Sequence, residues 1–196
     1  MTPQEKFSPF NVKDELQEKT VEEIKDWQKG VTIPYSVAMY NTIKDFNLAS
    51  VIRNACAFGF EKIFIIGHRK WDRRGAVGAH NYLTIEFLPD FNALMNIFER
   101  EHIIALELPE HYPALAHTFA PIQFFEWAYG DCLLLGEEGQ GIPLEHLEQV
   151  TNRVYIEQPG AMRSLNAATA AGIAMHNISV HAPTKPFSEQ PSLQLF

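Results

Sequence analysis

Arg163-Ser164-Leu165-Asn166 sets a guanidinium, a hydroxyl and an amide side by side, just ahead of a run of small residues that reaches Ala174. Serine and asparagine have a sufficient plain role there, because their side-chain oxygens accept the free N–H groups of a helix's first turn. Nucleophilic chemistry at Ser164 would need a base and an oxyanion hole, and no G-x-S-x-G elbow surrounds it. A second cluster is "LLLGEEGQGIP" (133–143), where Gly136, Gly139 and Gly141 follow an apolar run and enclose Glu137 and Glu138. Glycines at the carboxyl end of a parallel strand let backbone N–H groups approach a ligand. The loop is neither a G-x-G-x-x-G fingerprint nor a P-loop, and its paired acids repel a triphosphate. It reads either as a plain turn or as a site for a neutral or cationic ligand. In "NLASVIRNACAFGF" (47–60), Asn47 stands at a helix cap and Arg53 lies off the apolar face made by Leu48, Val51, Ile52, Ala55 and Phe58. An ordinary surface arginine is the default there. Finally, "KIFIIGHRKWDRRG" gathers Lys62, Arg69, Lys70, Arg73 and Arg74 around Trp71 with one acid, Asp72. That stretch is either a solvated loop or a polyanion contact.

The elements that must position these groups alternate. Apolar runs at 35–41, 62–67, 82–88, 102–108 and 131–136, with "RVYIE" after them, predict strands. Between them, helices are predicted from Asn47 to about Phe58, from Asp90 to about Arg100, over "GIPLEHLEQV", and from Ser164 onward. Strand and helix in alternation define an α/β domain with a mainly parallel sheet flanked by helices. Residues 1–30 form a charged, mostly helical lead with a capping box at Thr20-Val21-Glu22-Glu23 and a stop at Gly30. Residues 31–180 form the domain, and 181–196 an extended, proline-containing tail. The aromatic and proline-rich stretch 109–130 has no clear periodicity.

Composition narrows the class. With 46% apolar and 20% charged residues among 196, the chain fits one globular domain with a proper core. No apolar run approaches the roughly 20 residues of a membrane helix, and the N-terminus lacks a signal-peptide layout. Cys56 and Cys132 read as buried free thiols, so a cytoplasmic location and no membrane partner are expected. The eight histidines show no metal-ligand spacing, so no metal is expected. A net charge of -8 argues against a protein that coats nucleic acid non-specifically, while leaving room for the local patch.

Taken in order, the segments form one signal. The arrangement N-x5-R-x-A-x-A-x-G, then a strand ending in G-x-E-x-x-G-I, then I-x7-S-L-N before a small-residue helix, resembles the SpoU (TrmH-like) branch of the SPOUT RNA methyltransferases. The three motifs are Asn47–Gly59, Leu133–Ile142 and Ile156–Ala170, and the resemblance spans about residues 35–180. It implies a C-terminal deep trefoil knot, S-adenosylmethionine held by the knot loops, and a homodimer with the site near the subunit interface. It also implies methyl transfer to a ribose 2′-hydroxyl of structured RNA, tRNA first and rRNA next. Carried over by position, Arg53 is the catalytic arginine, with Asn47, Glu138, Ser164 and Asn166 as its polar company. Leu106, Gly136, Glu138, Gly141, Ile156, Ser164 and Leu165 hold the cofactor. RNA binding falls to Arg69, Lys70, Arg73 and Arg74, with Arg163.

The third motif departs from the family's Ile-Pro-Met: this chain has Ile156-Glu157-Gln158. That change and the acidic composition favour one alternative, a catalytically inactive RNA-binding homodimer of the same fold. The intact Arg53, Glu138, Ser164 and Asn166 favour the enzyme. An unrelated nucleotide-binding α/β enzyme is the third reading, told apart by binding NAD or ATP instead.

Overall fold

The structure, a computed structural model, describes residues 11–41 and 47–182. Seven strands run parallel in one sheet: β1 (Ile33–Asn41), β2 (Phe60–Gly67), β3 (Thr84–Leu88), β4 (Ile103–Leu106), β5 (Phe119–Pro121), β6 (Cys132–Leu135) and β7 (Asn152–Tyr155). Their order is β3-β2-β1-β6-β4-β7-β5, so β6 enters between β1 and β4, and β7 between β4 and β5. The helices are α1 (Val21–Gly30), α2 (Asn47–Ala57), α3 (Phe91–Met95), α4 (Leu144–Leu147) and α5 (Ala167–His181).

The central strands β4 and β6 are apolar at every position because both faces of the sheet are covered. Val37, Met39, Ile63, Ile65, Ile104, Leu133 and Leu135 face one core, shared with α2 and α5. Ala38, Tyr40, Phe64, Ile66, Ile103, Ala105, Cys132 and Leu134 face the other, shared with α3 and α4. The period-two alternation is thus between two buried layers, and the structure is three layers thick. Among the described residues, no helix is long and apolar enough to cross a membrane.

Local chemistry sets most element ends. The Thr20–Glu23 capping box starts α1, and the Asp90 carboxylate caps α3 by accepting the Ala93 N–H. Three helices are shorter than the sequence pattern predicts, α4 keeping only Leu144–Leu147 of the helix predicted over 141–150. α3 stops at Met95 and does not reach Arg100: the Asn96 N–H turns to the carbonyls of Asn92 and Leu94. Phe98 then packs edge-on against Phe64, drawing the chain back to the sheet. The last helix begins at Ala167, not Ser164, because the Asn166 side chain accepts the N–H groups of Ala168 and Thr169. The strand predicted over 82–88 begins only at Thr84, after a tight turn at Ala79–Asn81. The 109–130 stretch holds β5 at the sheet edge between single helical turns. The proposed tail lies outside the described residues beyond Ala182.

Arg153 fastens the last crossover. It lies on β7, buried, and donates to the carbonyls of Leu147, Val150 and Thr151 and to the Thr118 hydroxyl. These carbonyls belong to the end of α4 and the turn after it, so one guanidinium satisfies a buried helix terminus. Arg153→Ala leaves them without partners, and we expect a loss of about 3 kcal/mol of unfolding free energy. A lowered denaturant midpoint at unchanged slope would register it.

Candidate active site

Because all strands are parallel, their carboxyl ends lie on one edge of the sheet, and every segment singled out in the sequence emerges there. Asn47 opens α2 and is buried. Its amide nitrogen donates to Glu138 Oε2, and its Oδ1 accepts from Asn166 Nδ2 at 2.8 Å. Asn166 Oδ1 in turn accepts from Ala168 N at 3.0 Å and Thr169 N at 3.3 Å. One side-chain line therefore joins the second motif, the first motif and the N-terminus of α5, across 91 and 119 positions of sequence. Both ends of the Asn47 amide are spent on this line, which fixes its rotamer. Asn54 Nδ2 adds a bond to Ala168 O at 3.2 Å. The two helices meet closely there: a Cβ on Gly172 would come 3.1 Å from that nitrogen.

Arg53 precedes Asn54 on the exposed side of α2 and has no ion pair or hydrogen bond among the described residues. It is a guanidinium available to an anion. Ser164 is exposed and takes no part in the Glu138–Asn47–Asn166 line. Those three polar residues are brought together, and Ser164 is not.

The glycine loop folds on itself. Glu137 and Gly141 form an antiparallel bridge, with Gly141 N donating to Glu137 O at 3.0 Å. Gly141 sits at φ 69°, in the left-handed region that glycine enters without strain. Beside the loop, a cleft of about 670 Å³ runs between Leu108, Glu110 and His111 on one side and the segment from Tyr155 to Arg163 on the other. This is the size range of small-molecule sites. Ile156 lines it, as do Met162 and Arg163, while Leu165 is partly exposed and flanks it in sequence. Leu106 differs: its side chain is buried in the core, so only the backbone that follows it approaches the cleft. Glu157 of the altered third motif is held by Gln123 Nε2 at 2.8 Å, which ties this loop to the turn after β5.

The basic stretch forms a loop anchored by Asn41, the last residue of β1. Asn41 is fully buried and its Nδ2 donates to His68 O at 2.6 Å and Lys70 O at 3.2 Å. Arg73 lies over the Trp71 ring and Arg69 over Phe87. Arg74 is engaged by Asp72 through its Nε and Nη2, and these bonds hold the Asp72 carboxyl down to about 2. Arg74 is therefore already paired, whereas Arg69, Lys70 and Arg73 have no carboxylate partner among the described residues. The loop rests on α2: a Cβ on Gly75 would come 2.9 Å from Ala49 Cβ. Ala49 is one helical turn before Arg53, so the basic loop and Arg53 occupy one flank.

Sequence reasoning missed Asn41, Glu107 and Tyr112. The one signal was an acid closing the apolar run "HIIALEL", where a buried strand meets a ligand edge. Among the described residues there is no group of three or more His, Cys, Asp or Glu placed to hold a metal.

A parallel α/β sheet, flanked by helices on both faces, carries the three motif loops on its carboxyl edge. Residues 34–176 match the model of the SpoU rRNA Methylase family, and the chain belongs to that family. A Synechocystis protein called an uncharacterized tRNA/rRNA methyltransferase is 28% identical over 132 residues, covering 66% of this chain and 47% of that protein. The chain thus spans about half the length of the curated relative it matches. Among solved structures, the A. aeolicus TrmH/SpoU tRNA modifying enzyme aligns with a TM-score of 0.68 and 17% identity, covering 82% of this chain and 81% of that one. The SpoU methyltransferase AviRb from Streptomyces viridochromogenes, solved with AdoMet, aligns with a TM-score of 0.64 and 22% identity, covering 74% and 56%. At these identities the structures establish the shared fold.

Proposed function

We propose that this protein transfers a methyl group from S-adenosylmethionine to a ribose 2′-hydroxyl of structured RNA, with tRNA the first acceptor to test and rRNA the second. The observation that carries the reading is the Glu138–Asn47–Asn166 line, which assembles the three family motifs, with Arg53 on α2 unpaired among the described residues. The residues fit the cofactor: the cleft offers the apolar walls of Leu108 and Ile156 to an adenine, and carboxylates on Glu110 and Glu157 suit a cation better than a phosphate. Gly136, Gly141, Ile156 and Leu165 would hold it, with the backbone beside Leu106.

When bound, S-adenosylmethionine supplies an electrophilic methyl on a sulfonium. The ribose hydroxyl that would accept this methyl must lose its proton. Arg53 stays protonated in ordinary protein surroundings, so its role is to clamp an RNA phosphate and orient the attacking hydroxyl, while water or a phosphate oxygen takes the proton. Holding the three reacting atoms in line supplies much of the rate. Asn47 keeps Glu138 and the start of α5 fixed around that point.

The same reading carries a cytoplasmic homodimer and a deep C-terminal knot. Insertion of β6 and β7 between earlier strands supports the knot, and Ile173 and Val180, exposed seven residues apart on α5, support the dimer. RNA would bind through Arg69, Lys70 and Arg73, with Arg74 and Arg163 beside them.

Calorimetry with S-adenosylmethionine, followed by labelled-methyl transfer to tRNA and rRNA, tests the proposal. Binding with transfer is the expected result. Binding of RNA with neither cofactor binding nor transfer would instead make this a non-catalytic RNA-binding protein. Because Arg74 is paired with Asp72 and Arg73 has no carboxylate partner among the described residues, Arg73→Glu should weaken RNA binding more than Arg74→Glu, and should reduce the salt slope of log K by about 1. Equal effects would move the contact elsewhere.

A further inference from the structure

Ile142 closes the glycine loop, and both of its backbone polar groups are taken by side chains from one neighbouring segment. Its N–H donates to Glu107 Oε1 at 2.8 Å, and its carbonyl accepts from the Tyr112 hydroxyl at 2.7 Å. Glu107 directly follows β4, and its own N–H donates to Val154 O at 3.1 Å, so the acid is carried on the sheet. The Tyr112 ring stacks on Phe119 of β5. The fit is tight: a Cβ on either Gly136 or Gly141 would come 2.6 Å from Glu107 Oε1, and one on Gly141 would come 2.8 Å from the Tyr112 oxygen.

A largely buried carboxylate is costly, and packing alone would be served better by an apolar side chain. Burial does push the Glu107 carboxyl up, opposed by the N–H groups of Ile142 and Leu108. Burial and the Glu107 charge push the Tyr112 hydroxyl up to about 12, so it remains a donor at neutral pH. Between the two residues lie Leu108, Glu110 and His111, which form one wall of the cleft. A single short segment therefore supplies that wall and grips the loop beside it.

We infer that Glu107 and Tyr112 are positioning residues: they latch Ile142 so that the Gly136–Ile142 loop and the cleft wall are fixed as one surface before the cofactor arrives. The inference rests on the cofactor reading above. It predicts that the latch sets cofactor affinity by pre-organising the loop, with no requirement that either side chain touch the reacting atoms.

The test pairs calorimetric binding of S-adenosylhomocysteine with amide hydrogen exchange at Ile142, on the full chain. Losing one such hydrogen bond corresponds to about a tenfold change, so Tyr112→Phe and Glu107→Ala should each bind about tenfold more weakly and exchange the Ile142 amide faster. Glu107→Gln keeps a carbonyl acceptor for the Ile142 N–H and should stay within about twofold of wild type. Should Glu107→Ala fail to fold, Tyr112→Phe and Glu107→Gln decide the matter. Wild-type affinity in folded Tyr112→Phe protein would overturn the latch. So would weaker binding with unchanged Ile142 exchange, or a Glu107→Gln variant as weak as Glu107→Ala. A wild-type protein that binds no S-adenosylhomocysteine, yet shows exchange at Ile142 that responds to the variants, would remove the cofactor reading and leave the loop clamp standing.

Discussion

Arg53→Ala should lower methyl transfer by about 10²- to 10³-fold while leaving S-adenosylhomocysteine affinity unchanged. The separation follows from where Arg53 stands. It is exposed on α2 and bonds to nothing among the described residues, so its loss removes no support from the fold. Surface changes of that kind usually alter stability by about 0.5 kcal/mol or less. It lines neither the glycine loop nor the cleft, so cofactor binding has no reason to change. What remains is its action on the acceptor. Arg53→Lys keeps the charge but loses the fork that grips a phosphate with two parallel bonds, so its rate should fall between the two. Single-turnover transfer of labelled methyl, with RNA affinity measured alongside, separates poor positioning from poor RNA binding. A variant that turns over normally would remove Arg53 from the mechanism.

The second large effect is expected at Gly136. An alanine Cβ there would lie 2.4 Å from the Gly141 carbonyl carbon and 2.6 Å from Glu107 Oε1, closer than real Cβ contacts allow. Backbone on the far side of the loop cannot move aside as a flexible side chain would, so the loop must open. Overpacking of this kind costs about 1–3 kcal/mol and here falls on the loop between β6 and α4. Gly136→Ala should therefore abolish measurable cofactor binding and lower the melting temperature by several degrees, on the order of 2–4 °C per kcal/mol for a chain of this size. Gly30→Ala, at the end of α1 and away from the cleft, is the control, since its Cβ would meet nothing within 4 Å. If both variants bind the cofactor alike, the loop does not form the site.

Neither effect follows from local sequence pattern in the same degree. The free arginine could be marked in the sequence, because its position off the apolar face of α2 is a matter of helical period. The clash at Gly136 could not, because it depends on Glu107 arriving from β4 and Gly141 folding back. Similarly, Asp90 announced the start of α3, but its early stop depends on Phe98 meeting Phe64 across the sheet. The 109–130 stretch was illegible because single helical turns and a three-residue edge strand carry no period long enough to read.

By itself the sequence determined the alternation of strands and helices, the caps at Thr20 and Asp90, the two-sided burial of the sheet and the three motifs in order. Each is a local property: apolar run, cap chemistry or spacing. The tertiary structure alone decided that β6 lies between β1 and β4 and that Asn47 bridges Glu138 and Asn166. It also decided that Arg74 is paired while Arg73 has no carboxylate partner among the described residues, and that Glu107 and Tyr112 grip Ile142. Strand order is set by the total burial of the sheet, and no short window contains it. Contacts between residues far apart in the chain exist only once that order is fixed.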